Sequence, residues 1–262
     1  MRCAVADASF NFGANAELFG VYHPPAGEAR IGLVFCSPFA EEKKCSYRTF
    51  TRAAQAFAAA GVACLRFDYF GTGDSDGRFT DFAPSRAIDD IAAAADELRG
   101  RSGVSDIVLL GLRLGGTMAL AAAARAGAAS VILWQPVVSG RSFFDLTIKR
   151  QMMRRQLIGG DDKQEQGGAA NDVIDLDGFP LSQAAAAEIR SLDCATADGE
   201  YDGPVHLLQI SHTENVSREY GELADALGDR ADIVTVKCPP FWNRIELADT
   251  SEVVEKTMAW LA

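Results

Sequence analysis

The sequence predicts an α/β fold with a mostly parallel central sheet flanked by helices, and three observations carry that prediction. Short apolar runs alternate with segments whose apolar residues recur every three to four positions, as strands joined by crossover helices do. Apolar side chains make up 48% of 262 residues, enough to bury a sizeable core. One run, residues 107–110, passes through Gly111, Leu112, Arg113, Leu114, Gly115 and Gly116 straight into an alanine-rich helix reaching Arg125, which is a strand, a sharp turn and a helix.

Early strands cover residues 18–22 and 31–35, separated by the turn Pro24, Pro25, Ala26, Gly27. A helix follows with Ser46 as its expected N-cap, Phe50, Ala53, Ala54, Phe57 and Ala60 on one face, and Gly61 as its stop. A strand over 62–67 leads into the glycine-rich turn 71–77. That turn lacks the Lys-Ser/Thr ending of a phosphate loop and is not followed at once by a helix. The next helix carries the stripe Ile88, Ile91, Ala92, Ala95 and Leu98 and is expected to end at Gly100. After the sharp turn and its helix comes a strand over 131–134.

There the alternation stops. Residues 138–200 are expected to form a cap inserted into a single domain spanning 1–262. The insertion opens with a basic amphipathic part, Lys149, Arg150, Arg154 and Arg155 with Ile148, Met152 and Met153. A polar, glycine-rich stretch over 159–171 follows and reads as mobile. The core resumes with a strand over 205–210, a helix over 219–227 ended by Gly228, a strand over 233–236 and a closing helix over 252–261.

A formal net charge of -11 repels phosphate backbones and anionic membranes, so nucleic acid is not an expected partner. Six cysteines without a C-x-x-C pair point away from a zinc site or a disulfide framework and read as reduced thiols. No metal or other cofactor is indicated. No stretch has the length of a membrane span or the apolar core of a signal peptide, so a cytoplasmic protein is expected. Its oligomeric state is left open, a homodimer included.

The turn around residue 113 has the G-x-S-x-G spacing that holds one side chain over the C-terminal edge of a sheet, except that Arg113 stands where the nucleophilic serine would. Arginine is permanently protonated and cannot attack a carbonyl. With Ser37 to Glu42 (SPFAEE), 67–77 (FDYFGTGDSDG), 111–116 (GLRLGG) and 178–182 (GFPLS), the chain resembles the α/β-hydrolase superfamily. Within it the chain is most similar to the serine-aminopeptidase-like group and the exosortase A-associated hydrolases. That resemblance implies hydrolase or acyl-transfer ancestry, a link to bacterial exopolysaccharide and surface-protein systems, and a group in which arginine recurs at the elbow. It also implies an acid after the penultimate strand, where Glu214 stands, and a histidine after the last strand, where 238–242 holds none. Two of three triad positions have lost their chemistry.

Arg113, at a helix N-terminus, is a candidate clamp for a small anionic or acyl-bearing ligand. The alternative is an internal ion pair, with Glu41, Glu42, Asp68 and Glu214 all able to approach. Cys36 or Ser37 with His212 and Glu214 would form a rearranged catalytic set. Phe39, Leu114, Phe241 and Trp242 are expected to line the ligand pocket. His206 reads as a packed strand residue and His23, beside Pro24, as exposed. The functions left standing are a hydrolase or acyltransferase with a non-standard nucleophile, and a catalytically inactive pseudoenzyme that binds a ligand or partner.

Overall fold

The computed structural model describes residues 7–157 and 172–261, so the glycine-rich stretch expected at 159–171 falls outside it. The chain opens with an antiparallel hairpin, β1 (Ala8–Phe12) and β2 (Leu18–His23). The core units follow: β3 (Ile31–Cys36), α1 (Glu41–Ala59), β4 (Ala63–Phe67), α2 (Pro84–Ser102), β5 (Asp106–Leu112), α3 (Leu114–Ala126) and β6 (Ser130–Trp134). Next come α4 (Gly140–Leu157), a small hairpin of β7 (Val173–Leu176) and β8 (Phe179–Ser182), and α5 (Gln183–Ser191), all outside the main sheet. The chain closes with β9 (Val205–Ser211), α6 (Arg218–Leu227), β10 (Ala231–Lys237) and α7 (Ser251–Trp260).

Eight strands form one sheet in the order β1-β2-β4-β3-β5-β6-β9-β10, parallel from β4 to β10 and antiparallel at the β1–β2–β4 edge. This is the α/β-hydrolase fold. The central strands are continuous apolar runs because helices cover both faces. Phe50 and Phe57 of α1 pack with Phe35, Trp134 and Val253 on one face. Ile91, Leu98, Leu120 and Leu223 pack with Leu109 and Leu133 on the other. Trp134 Nε1 donates to Thr257 Oγ1 at 2.9 Å, which ties β6 to α7. Because β3, β5, β6 and β9 run parallel, their C-terminal ends meet along one edge, where open α/β sheets hold their ligands.

Several local expectations are corrected. Ser46 lies inside α1, its hydroxyl donating to the Glu42 carbonyl at 2.7 Å, and the helix starts five residues earlier behind Ala40, held at φ +50°. Glu41 and Glu42 then sit in the first turn, where the helix dipole favours carboxylates. Gly100 does not end α2, which continues to Ser102 and stops at Gly103 with φ +74°. His23 is fully buried rather than exposed. Arg66 Nε donates to its Nε2 at 2.9 Å, and Asp7 lies 2.8 Å from Nδ1. Burial, and then the Arg66 charge, lowers its pKa and keeps the imidazole neutral.

Asp90 is buried on α2 and accepts the Phe70 N–H at 2.9 Å, anchoring the start of the glycine-rich turn. Burial pushes its carboxyl up to about 6, against an ordinary value near 3.8. The native state therefore keeps a proton that the unfolded chain gives up near pH 4. Stability from this group is fully present below pH 4 and is lost as pH rises towards 6, by up to about 3 kcal/mol. Denaturant unfolding from pH 4 to 7 should show that fall in the wild type and a flatter profile in Asp90→Asn; parallel profiles would refute it.

Candidate functional site

Arg113 caps α3 with φ +57° and ψ -126°, a conformation that costs a non-glycine residue about 1–3 kcal/mol. Two close approaches enforce it. A Cβ on Gly111 would lie 2.4 Å from the Gly115 carbonyl oxygen, and one on Gly115 would lie 2.3 Å from that of Ser37. The turn thus keeps the nucleophile-elbow shape with an arginine on it.

The guanidinium is partly enclosed, its side chain 18% exposed. Its Nε donates to Glu42 Oε1 at 3.2 Å and its Nη1 to the Gln135 carbonyl at 3.3 Å. The Trp242 ring centre is 5.3 Å and the Phe143 ring centre 5.7 Å from its central carbon, within cation–π range. Gln135 is itself held at φ +46°, with its side-chain oxygen accepting the Ile210 N–H at 2.6 Å, so it joins the ends of β6 and β9 beneath the arginine. Of the four acidic residues able to approach Arg113, Glu42 makes the pair. Glu41 lies near Arg154, and Asp68 pairs with Lys43. Glu214 is exposed and forms no ion pair among the described residues.

Glu42 is 14% exposed and its Oε2 is buried without a hydrogen-bond partner. Burial raises its pKa, while Arg113 and then Arg150 pull it down. Cys36 is wholly buried at the end of β3, and burial alone pushes its thiol far above the ordinary range. A thiol in that setting stays protonated at neutral pH, and the thiolate is the reactive form. Ser37 is buried next to it, its carbonyl accepting the Tyr69 hydroxyl at 3.2 Å. His212 lies exposed on the loop after β9. His206 is half-buried on β9 and stacks on Trp260 at 4.9 Å. Leu114 is buried at the start of α3. The backbone N–H groups of Phe39 and Leu114, at the two places where this fold builds an oxyanion hole, donate to nothing among the described residues.

Phe241 and Trp242 share one short turn but divide their work. Phe241 is fully buried with its ring edge-on to Trp134, whereas Trp242 faces the arginine and lines a cavity of about 430 Å³. Phe39, Glu42, Phe143 and Arg150 line it too. A second cavity of about 450 Å³ lies across the Phe39–Ala40 backbone, which borders both. Gln135 and Phe143 were not singled out by sequence. Gln135 directly follows the strand read at 131–134, which is a usable signal, whereas Phe143 reaches the site only through the packing of α4. Among the described residues no cluster of three His, Cys, Asp or Glu could hold a metal ion, and no helix is long and apolar enough to cross a membrane.

The model of the family described as serine aminopeptidase, S33, matches residues 27–157. No curated protein matches in sequence. Among solved structures, Est1E from Butyrivibrio proteoclasticus, seen with ferulic acid, is 19% identical, with 93% of this chain and 94% of that one covered and a TM-score of 0.64. XC6422 from Xanthomonas campestris, an α/β serine hydrolase without a lid, is 16% identical over 93% of this chain and 89% of that one, with a TM-score of 0.58. An α/β serine hydrolase homologue from Coxiella burnetii is also 16% identical, over 98% and 99%, with a TM-score of 0.58. At these identities the likeness is one of fold.

Proposed function

The chain belongs to the serine aminopeptidase family S33, and from that premise we propose that it binds a small anion, a carboxylate or phosphate, at its elbow instead of forming an acyl-enzyme there. The observation that carries this reading is the placement of Arg113. A fixed positive charge stands on the elbow, with two of its five N–H donors taken by Glu42 and Gln135 and its faces flanked by Trp242 and Phe143. Arg150 on α4 lines the cavity that Trp242 and Glu42 border and has no ion pair among the described residues, while Glu41, Glu42 and Asp177 on that lining offset Arg150 and Arg154, so the charge offered to an anion is that of Arg113. Here α4, the β7–β8 hairpin and α5 act as the cap, and Trp242 stands as an apolar wall where a histidine loop is expected.

On this reading the protein is a pseudoenzyme of a hydrolase family. The competing set, Cys36 or Ser37 with His212 and Glu214, is disfavoured by the buried protonated thiol and by the exposure of His212 and Glu214. The short motifs shared with exosortase A-associated hydrolases suggest a place in bacterial exopolysaccharide or surface-protein systems.

Acetate or inorganic phosphate at a hundred times its dissociation constant is expected to stabilise the wild type by about 2.7 kcal/mol. For a chain of this size that raises the melting temperature by about 5 °C or more. Arg113→Met should show no such rise, and equal rises in both proteins would refute the proposal. A fluorophosphonate probe should leave the protein unlabelled, and stoichiometric labelling at any serine would restore the ordinary hydrolase.

A further inference from the structure

We propose that the cavity beside α1 is a second binding site, separate from Arg113, for an uncharged aromatic molecule. At about 450 Å³ it falls within the range of small-molecule sites, roughly 300–1,000 Å³. One wall is Phe39, Phe79, Phe82 and Phe179, with Met118 of α3 among the lining side chains. Ring centroids lie 5.6 Å apart for Phe39–Phe79, 5.4 Å for Phe39–Phe82 and 5.1 Å for Phe79–Phe179. These are the spacings aromatic rings prefer, and an aryl guest continues the same array with a thioether against it.

The mouth is built as deliberately as the wall. Lys43 Nζ lies 2.7 Å from Asp68 and donates to Thr72 Oγ1 at 3.3 Å, while Asp68 Oδ2 accepts the Asp74 N–H at 2.9 Å. Lys44 and Asp74 complete the rim, so two lysines face two aspartates and neither an anion nor a cation is favoured. The glycine-rich turn is shaped around this rim. Gly73, at φ +60°, would with a Cβ come within 1.9 Å of Asp68 Oδ2 and 2.7 Å of Lys43 Nζ, and Gly77, at φ +89°, within 2.6 Å of the Phe70 ring. Gly73 is thus fitted to the ion pair at the mouth, whereas Gly77 makes room for the Phe70 ring. Arg113, Glu42 and Trp242 do not border this cavity, so the site stands whether or not an anion binds at the elbow.

The test uses the full chain labelled with carbon-13 at its methionine methyls, titrated with 2-naphthol and followed by NMR. A saturable shift of the Met118 methyl is expected, with Met152, Met153 and Met258 unmoved. No saturable shift at Met118, or shifts confined to Met152 and Met153 on α4, would overturn the site. Phe79→Leu and Phe179→Leu keep an apolar side chain but remove a ring, and each should weaken 2-naphthol by about threefold to tenfold. Unchanged affinity in both, or 1-octanol binding as tightly as 2-naphthol, would overturn the aromatic preference. Saturating phosphate should not displace 2-naphthol, and competition would collapse the two sites into one.

Discussion

Gly115→Ala is expected to destabilise the protein by about 3 kcal/mol, the upper end of the usual overpacking cost, read as a large drop in the urea midpoint with little change in slope. The added Cβ would sit 2.3 Å from the Ser37 oxygen and 2.4 Å from the Cys36 oxygen. Both are backbone atoms at the end of β3, so no side-chain rotation relieves the clash, and α3 must lift off the sheet. That lift would also disturb Leu114 and the Arg113 backbone, whose N–H donates to the Trp134 carbonyl at 3.0 Å. Gly100→Ala is the matching control. Nothing lies within 4 Å of its added Cβ and the position is inside α2, so a gain of about 0.5–1 kcal/mol is expected. A Gly115→Ala protein within 1 kcal/mol of wild type would mean that the elbow is not sterically fixed.

This contrast also marks what the sequence could reveal. The strand, turn and helix around residue 113 were legible because steric demand at Gly111, Gly115 and Gly116 fixes glycine at those spacings whatever side chain the turn carries. The start of α1 was not. A serine followed by an apolar face imitates an N-cap, while the real start follows Ala40, an alanine at positive φ with no capping side chain to mark it in the sequence. The strand β1 is short and mostly exposed, with weak periodicity, and the β7–β8 hairpin has four residues a side. His23 read as exposed because its partner Arg66 lies 43 residues away, and burial set by a distant guanidinium leaves no local trace. The same limit applies at the site. Four carboxylates could have met Arg113, and only the fold shows that Glu42 does.

Glu42→Gln is expected to strengthen anion binding at the elbow by about tenfold near pH 8 and to abolish its pH dependence, whereas Arg113→Met should weaken it at least about a hundredfold. The second figure follows from losing charge-assisted hydrogen bonds worth about 1.5–3 kcal/mol each. The first follows from competition, since an ionised Glu42 already neutralises the guanidinium that a ligand needs. Burial raises the Glu42 pKa against the opposing charges of Arg113 and Arg150, with Glu41 and Cys45 on its own helix and Tyr220 on α6 as the other titratable neighbours. As pH falls through that raised value Glu42 takes up a proton and Arg113 is released to the ligand, so wild-type anion affinity should rise on acidification. Stability moves in the same direction, because a group whose native pKa is raised contributes at low pH and loses that contribution as pH rises. Titration of acetate by calorimetry at pH 5.5, 6.5 and 8 would separate the cases. Affinity that is flat with pH in the wild type, or equally steep in Glu42→Gln, would show that Glu42 does not compete for the arginine.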